Sequence, residues 1–116
     1  MFSRKNRIPR EKLEEIIKQS KSLGGDFFNI KFSENNLDFP RFSVIVSKKT
    51  CKSSVGRHLL KRKLVSAVRS NFGTSSGDYG AFSNKDYVFF LKKEATNKDF
   101  KTIKTSFKSF IDKNSL

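Results

Sequence analysis

Cysteine, histidine, tryptophan and proline are scarce in this chain, and the shortages remove whole classes of function. The one cysteine, Cys51, has no partner for an intrachain disulfide. Together with the one histidine, His58, it falls short of an ordinary zinc site, which needs several ligands at set spacing. Without Trp, the large core side chains must come from the 13 Phe. No long apolar run is present, so no segment is expected to span a membrane. Residues 1–7 are basic but lead into no apolar stretch, which excludes a secretory signal. Glu11, Glu14 and Glu15 follow too soon for a transit peptide. These features suit a reducing, cytoplasmic location.

Catalytic groups are equally sparse. No glycine-rich loop ends in Lys-Ser or Lys-Thr to cradle phosphate. The three neighbouring glutamates sit among lysines and read as a solvated helix face. His58 reads as a polar member of a basic helix, and Cys51 as a small residue before that helix. Chemistry by the protein's own side chains is therefore not expected, and no metal ligands are assigned.

Acids are outnumbered, with 11 Asp+Glu against 25 Lys+Arg, a net charge of +14 and a pI near 10.2. Such a chain attracts polyanions, nucleic acid first and an anionic membrane second. Its 116 residues suffice for one domain, residues 1–116, with a short basic arm over about 1–8.

Hydrophobic periodicity gives the elements. A helix is expected from Pro9, with Leu13, Ile16, Ile17 and Ser20 on one face and a stop near Gly24-Gly25. Phe28, Ile30 and Phe32 alternate with Asn29 and Lys31, as in a half-buried strand. Glu34-Asn35-Asn36 reads as a turn. A second strand covers 40–47, with Phe42, Val44 and Val46 on one side and Ile45 on the other. Ser53 or Ser54 caps a helix reaching about Phe72, with Leu60, Leu64, Ala67 and Val68 inward. A polar loop fills 73–85. A third strand covers 87–92, and Thr96-Asn97 with Asp99 opens a last helix striped by Phe100, Ile103, Phe107, Phe110 and Ile111. The order is helix, two strands, helix, strand, helix, around one mixed sheet.

RNA binding is the best-supported chemistry. Lys48, Lys49 and Lys52 precede a helix bearing Arg57, His58, Lys61, Arg62 and Arg69, and the arm adds Arg4, Lys5 and Arg7. A strand–helix junction gathers such side chains against several phosphates. Phosphate contacts alone do not separate RNA from DNA, so a DNA-reading helix over 53–72 stands as a rival. Most of the phenylalanines read as core.

The stretch Phe42-Ser-Val-Ile-Val-Ser-Lys-Lys49, followed by Val55-Gly-Arg-His-Leu-Leu-Lys-Arg62, resembles the bacterial ribonuclease P protein component. Asn6-Arg7-Ile8, the Phe27-Phe28 strand and Asp86-Tyr-Val-Phe-Phe-Leu-Lys-Lys93 agree in order. The family's Arg-Asn-Arg is here Arg57-His58-Leu59, and Val65 is expected on the charged face where the family has a base. The resemblance implies an α+β fold: a two-layer sandwich of three helices on a small mixed sheet, with a left-handed βαβ crossover. It implies a subunit that assists a catalytic RNA in removing the 5′ leader of precursor tRNA, with Mg²⁺ acting through the RNA and no protein partner. The basic helix and Lys48-Lys49 would face the catalytic RNA. Leu13, Ile17, Asn29 and Lys31 would line the leader cleft. Asp78 lies in the loop that binds metal in some relatives. The alternative is a non-catalytic RNA-binding or ribosome-associated protein on the same fold.

Overall fold

The first helix is shorter than its periodicity suggests. In the computed structural model, which describes residues 2–25, 27–73, 78–80 and 82–114, helix α1 runs Arg10–Gln19 with Pro9 as its cap residue. Ser20 ends it: the backbone turns extended and the hydroxyl donates to the Ile17 carbonyl at 2.9 Å. Residues read as the end of this helix instead form strand β1, Lys21–Gly24, which pairs antiparallel with β2, Phe28–Glu34. Gly24-Gly25 therefore serves a hairpin and not a helix stop. Gly25 N–H donates to Phe28 O at 2.8 Å. A Cβ on Gly25 would lie 2.9 Å from the Phe110 ring and 3.1 Å from Phe28 O, so any larger residue there must displace its neighbours.

Strand β3, Arg41–Ile45, leads through helix α2, Ser54–Arg69, to the parallel strand β4, Lys85–Leu91. The sheet order is β1-β2-β4-β3, with β2 and β4 antiparallel. Helix α3, Phe100–Asn114, closes the order. The expected mixed sheet of an α+β fold is present, with β1 as the strand the sequence reading missed. Asn36 sits at φ 56° in the expected 34–36 turn, a conformation Asn tolerates.

Each face of the sheet carries its own cluster. Phe28 and Ile30 of β2, Phe42 of β3 and Tyr87, Phe89 and Leu91 of β4 pack beneath α2 and α3. Phe42 is its aromatic hub, with ring centroids at 4.9 Å from Phe2, 5.1 Å from Phe82 and 5.6 Å from Tyr87. On the other face Ile8, Ile16 and Val88 are joined by Leu13, Ile17, Ile45 and Phe90. Opposite parities of β3 and β4 thus feed opposite layers, as Ile45 suggested.

Caps set the helix starts. Ser53 Oγ accepts from Gly56 N–H at 3.1 Å, and Asp99 Oδ1 accepts from Thr102 N–H at 2.8 Å. Hydrogen bonding from Thr102, by its side chain first and its backbone N–H second, leads the causes holding the Asp99 carboxyl below its usual range. Ser53→Ala is expected to lower stability by about 1 kcal/mol, while Ser54→Ala changes it by a few tenths at most. Urea unfolding of the two variants checks this; equal losses would count against Ser53 as the cap.

Between β3 and β4 lies a feature the sequence did not signal. Arg41 and Asp86 are register partners, and the guanidinium grips the carboxylate at 2.7 Å through both Nε and Nη2. Asp86 is 2% exposed and also accepts from Asn35 Nδ2 at 3.1 Å.

Candidate nucleic-acid interface

The basic arm is bolted to the sheet. Phe2 is buried against Phe42, Ile8 N–H donates to Phe42 O at 3.1 Å, and Arg7 bridges parallel to Phe42. Asn6, 4% exposed, donates to Pro40 O at 2.8 Å and accepts from Ser3 Oγ at 2.6 Å and Tyr79 OH at 3.2 Å. Arg4, Lys5 and Arg7 are exposed on this fixed segment. A single 3-10 turn, Arg4–Asn6, sets their spacing. Asn6 was named in the sequence only as part of a motif; its anchoring partners lie 34 and 73 positions away.

Helix α2 presents its basic side next to the arm. Arg7 and Lys61 line one groove, floored by Phe2, Ile8, Phe42 and Val65. His58, Arg62, Ser66 and Arg69 line the next concavity along the helix, again with Val65. Val65 corrects the sequence reading: it is 4% exposed and belongs to the core. The helical wheel placed it outside because only the sheet was expected beneath α2, whereas the arm covers that flank too. The position does not project into solvent as an exposed face would.

Lys48, Lys49 and Lys52 are exposed around a turn in which Ser47 O accepts from Thr50 and Cys51 N–H, both at 3.1 Å. Arg57 fastens this turn to the helix. Its Nη1 donates to Cys51 O at 3.0 Å and Lys52 O at 2.9 Å. The half-buried Arg57 therefore positions neighbouring cations, in addition to any contact its remaining nitrogens make. Ion pairs among the described residues join Lys18–Glu14, Arg41–Asp86 and Lys85–Glu34, and none involves Lys48, Lys49, Lys52, Lys61 or Arg62. Those cations are available to a polyanion.

The four cleft candidates also come together. Leu13 and Ile17 of α1 pack onto the cluster containing Val88 and Phe90. Asn29 is the register partner of Phe90, and Lys31 of Val88, so all share that sheet face. The small residues Gly24 and Ser22 continue it across β1. Half-buried Phe90 was missed as a site residue. Its signal was parity: in Tyr87-Val-Phe-Phe-Leu91, Phe89 and Phe90 must face opposite layers.

Asp78 is exposed, its Oδ1 accepting from Gly80 N–H at 3.0 Å. Much of the polar 73–85 loop, residues 74–77 and 81, lies outside the described residues. Among the described residues no three His, Cys, Asp or Glu side chains gather as a metal site, and no helix is long and apolar enough to cross a membrane.

A fixed basic arm, a basic helix beside it and a partly open sheet face suit a small α+β nucleic-acid-binding protein. Comparison with known proteins narrows the class. The family model for Ribonuclease P matches residues 2–115. The chain is 36% identical over 103 residues to the Ribonuclease P protein component of Aliivibrio fischeri, covering 85% of this chain and 82% of that protein. It is 33% identical over 95 residues to that of Vibrio vulnificus, covering 81% and 75%. The solved ribonuclease P protein of Thermotoga maritima superposes with a TM-score of 0.75 at 25% identity, covering 92% of this chain and 96% of that one. That of Staphylococcus aureus shares the fold with a TM-score of 0.76 at 20% identity, covering 92% and 93%. The chain belongs to the ribonuclease P protein family. As the motifs implied, it is a protein subunit of the tRNA-processing endoribonuclease.

Proposed function

We propose that the chain holds a catalytic RNA along α2, the arm and the 48–52 turn, and binds the 5′ leader of precursor tRNA over the sheet face beneath α1. The observation that carries this reading is the separation of two surfaces of different chemistry. One gathers Lys48, Lys49, Lys52, Lys61 and Arg62, none of them in the ion pairs above, and is suited to a folded polyphosphate. The other sets Phe90, Leu13 and Ile17 beside Asn29 and Lys31, suited to unstacked bases and an occasional phosphate.

On this reading the protein contributes binding and charge screening rather than a nucleophile. Energy gained along the leader, away from the reacting bond, holds the substrate in place. Mg²⁺ is assigned to the RNA subunit, where it would activate the attacking water. The site of action is the cytoplasm.

The test is cleavage of precursor tRNA at low magnesium by a bacterial ribonuclease P RNA, with and without the protein. The expected result is a mature 5′ end whose formation depends on the protein. Absence of stimulation by folded protein that still binds RNA would return the chain to a non-catalytic RNA-binding role. Equal affinity for duplex DNA and precursor tRNA at moderate salt would favour a DNA partner.

A further inference from the structure

The exposed large hydrophobic side chains among the described residues are Val55 at 69%, Leu59 at 51% and Phe100 at 36%. Leu59 and Phe100 line one groove between α2 and α3, with Arg62, Lys63 and Ser66 around them. Val55 lies one helical turn before Leu59 on α2. An apolar floor bordered by a guanidinium and an ammonium matches a nucleotide, whose ring is apolar on its faces and whose phosphate is anionic.

Continuity supports the match. Arg62 and Ser66 line both this groove and the concavity shared with His58 and Arg69. A strand following the basic side of α2 reaches the apolar groove without leaving the protein. Lys101 and Lys104 are exposed further along α3. Asp99, the residue before Phe100, lies in the field of Lys63 and is committed to the Thr102 N–H as a helix cap. The balance stays positive, which disfavours a basic partner.

We propose that this groove takes an unpaired base of the RNA held along α2, stacked on Phe100 and Leu59, with Arg62 and Lys63 on the flanking phosphates. The inference rests on the RNA-binding reading of α2 and adds a contact of different chemistry to it.

The absence of Trp supplies the experiment. Phe100→Trp creates the chain's one Trp, excited selectively over Tyr79 and Tyr87 at its red edge, and titration with a bacterial ribonuclease P RNA should quench it, saturating where filter binding saturates. Phe100→Ser and Leu59→Ser should each weaken RNA binding about tenfold with an unchanged salt slope, because an apolar contact releases no counterions. Normal RNA binding with an unquenched Trp and unaffected serine variants would overturn the proposal. So would a blue shift that grows with protein concentration in the absence of RNA, which would assign the groove to self-association. Failure of the parent protein to bind RNA would instead remove the reading of α2, and the inference with it. Should a serine variant fail to fold, the Trp titration decides alone.

Discussion

Arg41→Ala is expected to destabilise the protein by about 3–5 kcal/mol, lowering the melting temperature by roughly 10–25 °C. The magnitude follows from what is left behind. The Asp86 carboxylate is 2% exposed and accepts three hydrogen bonds, two of them from Arg41. Without the guanidinium a buried charge keeps only the Asn35 amide. The same bonds to Asp86 are the leading cause of the raised Arg41 pKa and outweigh its desolvation. The comparison is Glu14–Lys18, whose side chains are 84% and 74% exposed; breaking that pair is expected to cost a few tenths of a kcal/mol. Burial, rather than the count of ion pairs, decides the size. A double variant, Arg41→Met with Asp86→Leu, should recover much of the loss, since an apolar pair leaves no uncompensated charge. Thermal melts of the three variants check this. A loss below about 1 kcal/mol for Arg41→Ala would show that Asp86 finds water or another donor. The site also bears on the proposed RNA-binding surface, because Pro40, next to Arg41, holds the arm through Asn6.

What could be read from the sequence was what recurs locally. The stripe of Leu60, Leu64, Ala67 and Val68, the alternation of Phe28 and Ile30, and a cap at Ser53 or Ser54 each need only a few neighbouring residues to be visible. All three appear as expected. Strand β1 was illegible because Lys21-Ser-Leu-Gly24 has too few residues for a period, and its pairing with β2 defines it. Val65 and Asn6 were misjudged or overlooked for one shared reason. Both are shaped by the arm returning to the β3 edge, a contact that no local pattern encodes. Arg57 was correctly placed in the basic cluster, but composition cannot separate a phosphate ligand from a cation that braces its own backbone. The basic helix and the sheet face beneath α1 were legible as spatial sets; which cations stand free and which brace the backbone depends on contacts beyond the local pattern.

That distinction fixes the second large effect. Replacing Lys49, Lys61 and Arg62 together by Ala should reduce the salt slope of RNA binding by about 2 log units per log unit of salt. Each lost single-strand phosphate contact contributes about 0.7, and duplex contacts somewhat more. At about 0.1 M salt the same term lowers affinity by about 0.7 log unit per contact, or roughly 100-fold for the set. Arg57→Ala should behave differently. Its Nη1 is spent on the Cys51 and Lys52 carbonyls, so removal loosens the turn carrying Lys48 and Lys49. Affinity then falls with a smaller change of slope, alongside a measurable loss of stability. Lys12→Ala, on the exposed side of α1, should leave binding to the catalytic RNA unchanged. Filter binding across a range of potassium concentrations separates these cases. If the triple variant keeps the parent slope, the side of α2 that borders the arm is not where the phosphates lie. If Arg57→Ala alone flattens the slope as much as the triple variant, Arg57 is a principal phosphate ligand and its bracing of the turn is secondary.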